Sequence, residues 1–192
     1  ERLYADYMPA PFLSLLIDDC IKTGRDYHSG GARYNTSYVQ GVGLGSITDA
    51  FTAIKVHVFE EQNLTIAELM DCLSADFKGF ERTQQLLLHK TPKYGNDDER
   101  ADEVMTRVFT AYFKAVDGRK NTRGGTYRIN MLPTTVHVYF GSVIGATADG
   151  RHAGKPLSEG ISPVQGMDRH GPTAVLRSAA KMDHVLTGGT LL

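Results

Sequence analysis

The sequence predicts an α/β fold, and three observations carry that expectation. Segments with apolar residues at three-four spacing recur along the chain, short runs of β-branched and aromatic residues stand between them, and glycine turns separate the two kinds. The composition fits a globular body: 192 residues, 41% hydrophobic and 22% charged, supply enough apolar mass for a sizeable core. The same figures argue against a disordered tail, a fibre or a disulfide-stapled mini-protein. A formal net charge of -1 argues against a dedicated nucleic-acid binder. No apolar run approaches the length of a membrane span, and two distant cysteines, Cys20 and Cys72, fit a reducing cytoplasm.

The elements follow in order. Phe12, Leu13, Leu15, Leu16 and Ile17 predict one helix over 9–23 with a broad buried face, stopped by Gly24. Gly30 to Thr36 is a turn leading into a short extended run. The glycines of Val39–Gly45 open a helix from Ile47 to about Glu61. Thr65, followed three residues later by Glu68, is a capping box for a helix reaching about Phe77. A further helix covers 79–89, and Pro92 to Asp98 is a loop. Ala101, Val104, Met105, Val108, Phe109, Tyr112 and Phe113 draw an amphipathic stripe over 98–116. After a polar loop at 118–125, Tyr127 to Phe140 reads as extended, interrupted at Pro133. Beyond Gly141 little regular helix is expected before Thr173, and the tail over 187–192 reads as the beginning of a strand, so that both ends look like breaks inside a longer protein.

Local chemistry is sparse. Gly41-Val42-Gly43-Leu44-Gly45 matches neither nucleotide fingerprint and is expected to be a packed turn. No His/Cys pattern has metal-ligand spacing, so no zinc site is expected. His137 reads as a hydrogen-bonded interior residue, and His152, His170 and His184 as solvated. Neither cysteine stands in a reactive context, Cys20 following two acids and Cys72 lying mid-helix. The acids Asp97, Asp98, Glu99, Asp102 and Glu103 fit the positive end of a helix better than a cation site.

Several runs, in order, resemble the glycyl radical enzymes, the family of pyruvate formate-lyase and the glycyl-radical dehydratases and choline lyase. They are Gly30-Gly31-Ala32-Arg33-Tyr34-Asn35, Val39-Gln40-Gly41-Val42-Gly43, Lys93-Tyr94-Gly95-Asn96-Asp97-Asp98 and His137-Val138-Tyr139-Phe140-Gly141. Asp149-Gly150-Arg151-His152-Ala153-Gly154-Lys155-Pro156-Leu157, Gly160-Ile161-Ser162-Pro163-Val164-Gln165-Gly166 and Gly171-Pro172-Thr173-Ala174-Val175 continue the series. Ser162 to Gly166 and the Lys181–Thr190 tail favour the dehydratase and carbon–nitrogen lyase branch.

The resemblance implies a ten-stranded α/β barrel holding a radical cysteine and a radical glycine. With the composition change at Ala148-Asp149-Gly150, it places residues 1–148 in the C-terminal part of the barrel domain and 149–192 at the start of the glycine-radical domain. The family's Gly-Cys motif and Arg-Val-x-Gly-Tyr loop are expected before Glu1 and after Leu192, so no catalytic residue is assigned within the chain. The implied activity is elimination of water or an amine from a diol, choline or hydroxyproline-type substrate by thiyl-radical hydrogen abstraction. Pyruvate formate-lyase activity and a non-catalytic domain keeping the fold are the alternatives. The implied partners are the substrate, an S-adenosylmethionine iron–sulfur activating enzyme that installs the radical, and a second copy in a homodimer, with no bound cofactor, nucleic acid or membrane.

Alternation along an extended 132–140 puts Thr134, Val136 and Val138 on one face and Thr135, His137 and Tyr139 on the other. Thr134 and Val136 are the substrate-binding candidates, because small side chains leave room in a lumen; ordinary strand packing explains them equally. Over 149–171 the chain is either an irregular surface segment or the first part of the radical module, with Arg151 and Lys155 available to tie it down electrostatically.

Overall fold

Residues 1–190 are described by a computed structural model, which divides into two units. Leu191 and Leu192, the end of the expected strand, lie outside the described residues. One unit comprises Glu1–Val39 and Phe113–Ile129; the other comprises Gln40–Tyr112 and the chain from Asn130 onward.

In the first unit the helix expected over 9–23 is two short ones, α2 (Pro11–Ser14) and α3 (Asp18–Thr23), preceded by α1 (Arg2–Tyr7). Asp26 explains the break. Its carboxylate accepts the Ala10 N–H at 2.9 Å and the Ser14 hydroxyl at 2.7 Å, which closes α2 after one turn. Ile17 is then extended, and Asp18 and Asp19 start α3 at its positive end. The broad buried face does not form: Phe12 is 85% and Leu16 84% exposed. The expected stop at Gly24 is present in the left-handed conformation, φ 62°.

Two short strands, β1 (Ser37–Gln40) and β2 (Tyr127–Asn130), form a two-stranded sheet. Ser37 N–H bonds Thr126 O at 3.0 Å and Gly41 N–H bonds Asn130 O at 2.8 Å, so the pairing advances the same way along both strands and is parallel. Parallel strands need a long crossover, and the helices between them supply it.

That crossover begins at α4 (Leu44–Ala53), which passes directly into a π-helical turn, Ile54–Glu60. Helix α5 (Ile66–Ser74) starts on the expected capping box: Thr65 Oγ1 accepts the Glu68 N–H at 3.1 Å and the Glu68 carboxylate accepts the Thr65 N–H at 2.8 Å. Helices α6 (Glu81–His89) and α7 (Glu99–Val116) follow. Ala101, Val104, Met105 and Phe109 of the α7 stripe are buried. The core of the second unit gathers Ala53, Leu64, Leu69, Cys72, Phe77, Leu87 and Ala148.

After β2 the expected extended run stops. Residues 136–143 are helical, α8 (Val136–Val143), and α9 (Pro172–Ala180) is the next helix. β-branched and aromatic content favours a strand only where neighbours provide a pleated surface. Here Pro133 ends β2's continuation, and His137 Nδ1 donates to Thr134 O at 2.5 Å, turning the backbone into α8. No helix among the described residues is long and apolar enough to cross a membrane.

Candidate functional site

The second unit brings three separated stretches to one place: 131–137, 155–160 and 189–190. Met131 N–H bonds Gly189 O at 2.9 Å, and Met131 forms a parallel bridge with Thr190. Gly160 lies so close that a Cβ there would sit 2.5 Å from Met131 O. Leu157 N–H bonds His137 O at 3.2 Å, and Gly141 packs so closely that a Cβ would lie 2.3 Å from Lys155 O. The β2–α8 connection is therefore held on two sides by backbone.

Thr134 and Val136 both fall in this connection, but not by alternation. Residue 136 already begins α8, so Thr134, Val136 and Val138 do not share a strand face, and that part of the expectation is corrected. The Thr134 hydroxyl is buried with no hydrogen-bond partner, while Val136 is 40% exposed. A buried, unpartnered hydroxyl costs free energy unless something else satisfies it. His137 donates to Thr134 O, with Nε2 3.8 Å from Glu159. Cys20 packs against the backbone near Gly31 in the first unit, and Cys72 lies in the apolar core of the second, where burial pushes its thiol up.

The glycines of 41–45 make the packed turn expected of them. Gly43 is left-handed at φ 79°. A Cβ on Gly45 would lie 2.7 Å from Ser162 O. Ser46 and Ser158 exchange backbone and hydroxyl bonds reciprocally, at 3.0 and 2.9 Å, which fixes 157–162 on the start of α4.

Behind this turn lies a buried charge group that the sequence did not reveal. Asp49 on α4 accepts the Tyr94 N–H at 2.9 Å through one oxygen and leaves the other unpartnered. Burial pushes its carboxyl up to about 7, against the pull of the Lys93 charge. Burial lowers the Lys93 amine, which donates to Asp149 O at 3.0 Å. Asp149 accepts the Thr147 hydroxyl at 2.5 Å. Arg151 then gathers its own loop, donating to Thr147 Oγ1 at 3.0 Å, His152 O at 3.1 Å, Lys155 O at 2.6 Å and also to Gly145 O. Arg151 thus acts within its loop, and Lys155 is exposed. Nothing in the sequence marks Asp49, an acid in the middle of α4 among small residues.

The acids in the first turn of α7 are matched by a cation just past the end of α9. Lys181 reaches Asp102 at 2.7 Å and Glu99 at 2.8 Å, and the Ser178 hydroxyl donates to Asp102 at 3.0 Å. Among the described residues no three His, Cys, Asp or Glu side chains converge as metal ligands.

The stretches that meet here carry two family signatures. Residues 1–141 match the model described as "Pyruvate formate lyase-like", and residues 157–192 match the one described as "Glycine radical". The chain belongs to the pyruvate formate lyase-like family. It is 55% identical over all of its 192 residues to the trans-4-hydroxy-L-proline dehydratase of Clostridioides difficile, of which it spans 24%. The crystal structure of that dehydratase with trans-4-hydroxy-L-proline bound superposes with a TM-score of 0.93 at 54% identity, over 100% of this chain and 24% of that one. The glycerol-bound B12-independent glycerol dehydratase of Clostridium butyricum gives a TM-score of 0.90 at 43% identity, over 98% of this chain and 24% of that one. A glycyl radical enzyme of Archaeoglobus fulgidus gives 0.86 at 38% identity, covering 94% and 23%. The chain thus spans about a quarter of the length of the relatives it matches.

Proposed function

We propose that this chain is part of a glycyl radical dehydratase that removes water from a small hydroxylated substrate of the hydroxyproline type. Residues 1–148 belong in this reading to the C-terminal part of a ten-stranded barrel domain, and 149–192 begin the glycine-radical domain. The observation that carries it is the 54% identity to the hydroxyproline dehydratase structure over the whole chain, against 43% to the glycerol dehydratase structure. The radical, installed by an S-adenosylmethionine iron–sulfur activating enzyme, supplies hydrogen-atom abstraction. This chain supplies a pocket wall: Thr134 offers an unsatisfied hydroxyl and Val136 an apolar contact to the substrate, with 155–160 and 189–190 bracing both from behind. A wall fixed by backbone suits radical chemistry, which requires a dry, shaped cavity. Assembly as a homodimer in the cytoplasm completes the reading.

The test is Thr134→Leu in the full-length enzyme, with dehydration of trans-4-hydroxyproline, propane-1,2-diol and glycerol and cleavage of choline measured in parallel. The relative kcat/KM values should shift by about tenfold or more, with little change in melting temperature. Unchanged rates on every substrate would remove Thr134 from the wall.

A further inference from the structure

A cavity in the second unit, of about 230 Å3, is lined by the end of α6, residues 90–100 and residues 167–170. Its charge is one-sided. Arg169 lies against His89, Nη2 to Nδ1 at 3.0 Å, and against the Met167 sulfur at 3.7 Å, with no carboxylate partner among the described residues. Lys90 at the end of α6 likewise forms no ion pair there. The one carboxylate on the rim, Asp98, is already taken by Arg100 through bonds of 3.0 and 2.7 Å. Lys93 borders the cavity with its amine turned to Asp149 O. Two uncompensated cations and two imidazoles therefore face a small polar space.

The cavity is also held in shape. Asn96 donates to Lys93 O at 3.0 Å and Met167 O at 2.8 Å, and its carbonyl oxygen accepts the backbone N–H groups of Arg169 at 2.7 Å and His170 at 3.1 Å. His170 Nδ1 donates to Asn96 O at 3.0 Å. One amide thereby fixes both walls, so binding pays little ordering cost. The protein gives the exposed Arg169 guanidinium an imidazole nitrogen and a thioether in place of a carboxylate, and a multi-oxygen anion that displaces the water around it would make charge-assisted bonds there.

We propose that this cavity binds a tetrahedral oxyanion, a phosphate or a phosphate monoester, held by Arg169 and Lys90 with His89 and His170 beside it. A larger adjoining cavity of about 610 Å3 shares His89 and Lys90 and is walled by Arg82, so an organic group attached to the anion has somewhere to lie. The anion would join the end of α6 to residues 167–170, clasping the stretch that matches the glycine-radical model against the stretch that matches the lyase model.

The full-length protein is titrated with inorganic phosphate at pH 7 in a chloride background of constant ionic strength, following heat of binding and thermal stabilisation. Saturable binding is expected, weakened about tenfold or more in Arg169→Gln, the change expected for losing a charge-assisted pair. Arg107→Gln, on the exposed side of α7, should bind as the parent does. The absence of saturation, or an equal loss in Arg107→Gln, overturns the site. Adenosine 5′-monophosphate distinguishes the source: binding tighter than phosphate, with the gain lost in Arg82→Gln, assigns an ester, and equal or weaker binding assigns the free anion. Binding is read without turnover, so its failure leaves the dehydratase reading untouched.

Discussion

Asp49 shows what burial does to a single carboxyl. Desolvation opposes its charge more strongly than Lys93 and the Tyr94 N–H support it, so the folded chain holds a proton up to about pH 7. The unfolded chain releases that proton near pH 4. The folded state therefore binds more protons between about pH 4 and pH 7, and this group's contribution to stability is greatest below that window and falls as pH rises through it. Asp49→Asn should flatten the fall by up to about 1.4 kcal/mol per pH unit, measured from urea midpoints of the full-length protein at a series of pH values. An unchanged slope would show that Asp49 is charged in the folded state. None of this was legible from the residues: an acid on a helix of small residues looks solvated until Tyr94, Lys93 and Asp149 are brought around it. Thr134 was picked out for its size, whereas the structure distinguishes it by a hydroxyl with no partner.

At the scale of elements, two glycines at the end of α8 separate packing from flexibility. A Cβ on Gly141 would meet the backbone of Lys155 and Pro156, at 2.3 and 2.7 Å, and backbone cannot rotate away, whereas Gly145 has nothing within 4 Å. Gly141→Ala should cost about 1–3 kcal/mol as an overpacked contact, and Gly145→Ala should stay within about 0.5 kcal/mol, both read by denaturant unfolding. Thr65→Ala should cost about 1 kcal/mol by removing a reciprocal cap, and retention of full stability would show that Glu68 alone holds the start of α5. The capping box, the α7 stripe and the Gly24 stop were readable because each is decided within a few residues. The helix over 9–23 and the strand over 132–140 were not. In the first, Asp26, well beyond the apolar run, takes the Ser14 hydroxyl and ends the helix. In the second, Pro133 and His137 turn β-favouring residues into α8, a tertiary outcome that eight residues of propensity cannot announce.

At the scale of the whole molecule, apolar side chains remain uncovered in both units: Leu3, Tyr7, Phe12 and Leu16 in one, Phe51, Phe59, Tyr139 and Val143 in the other. Matched relatives are about four times longer, and exposed apolar side chains of this number favour association. The 192 residues expressed alone should self-associate, with light scattering growing with concentration, and a monodisperse monomer melting in one sharp transition would show that the exposed side chains are tolerated. Family membership was readable because seven short runs stood in the right order, a signal that survives misjudged elements. The loop around Arg151 adds one more consequence. A guanidinium stays cationic at every acidity a cell encounters, and here it is encircled by the oxygens of Thr147, His152, Lys155 and Gly145. Its bonds to those four oxygens are therefore made at full charge in sour and in neutral surroundings alike, and any response of this loop to acid has to come through Asp149, Asp76 or His152, which also hold it.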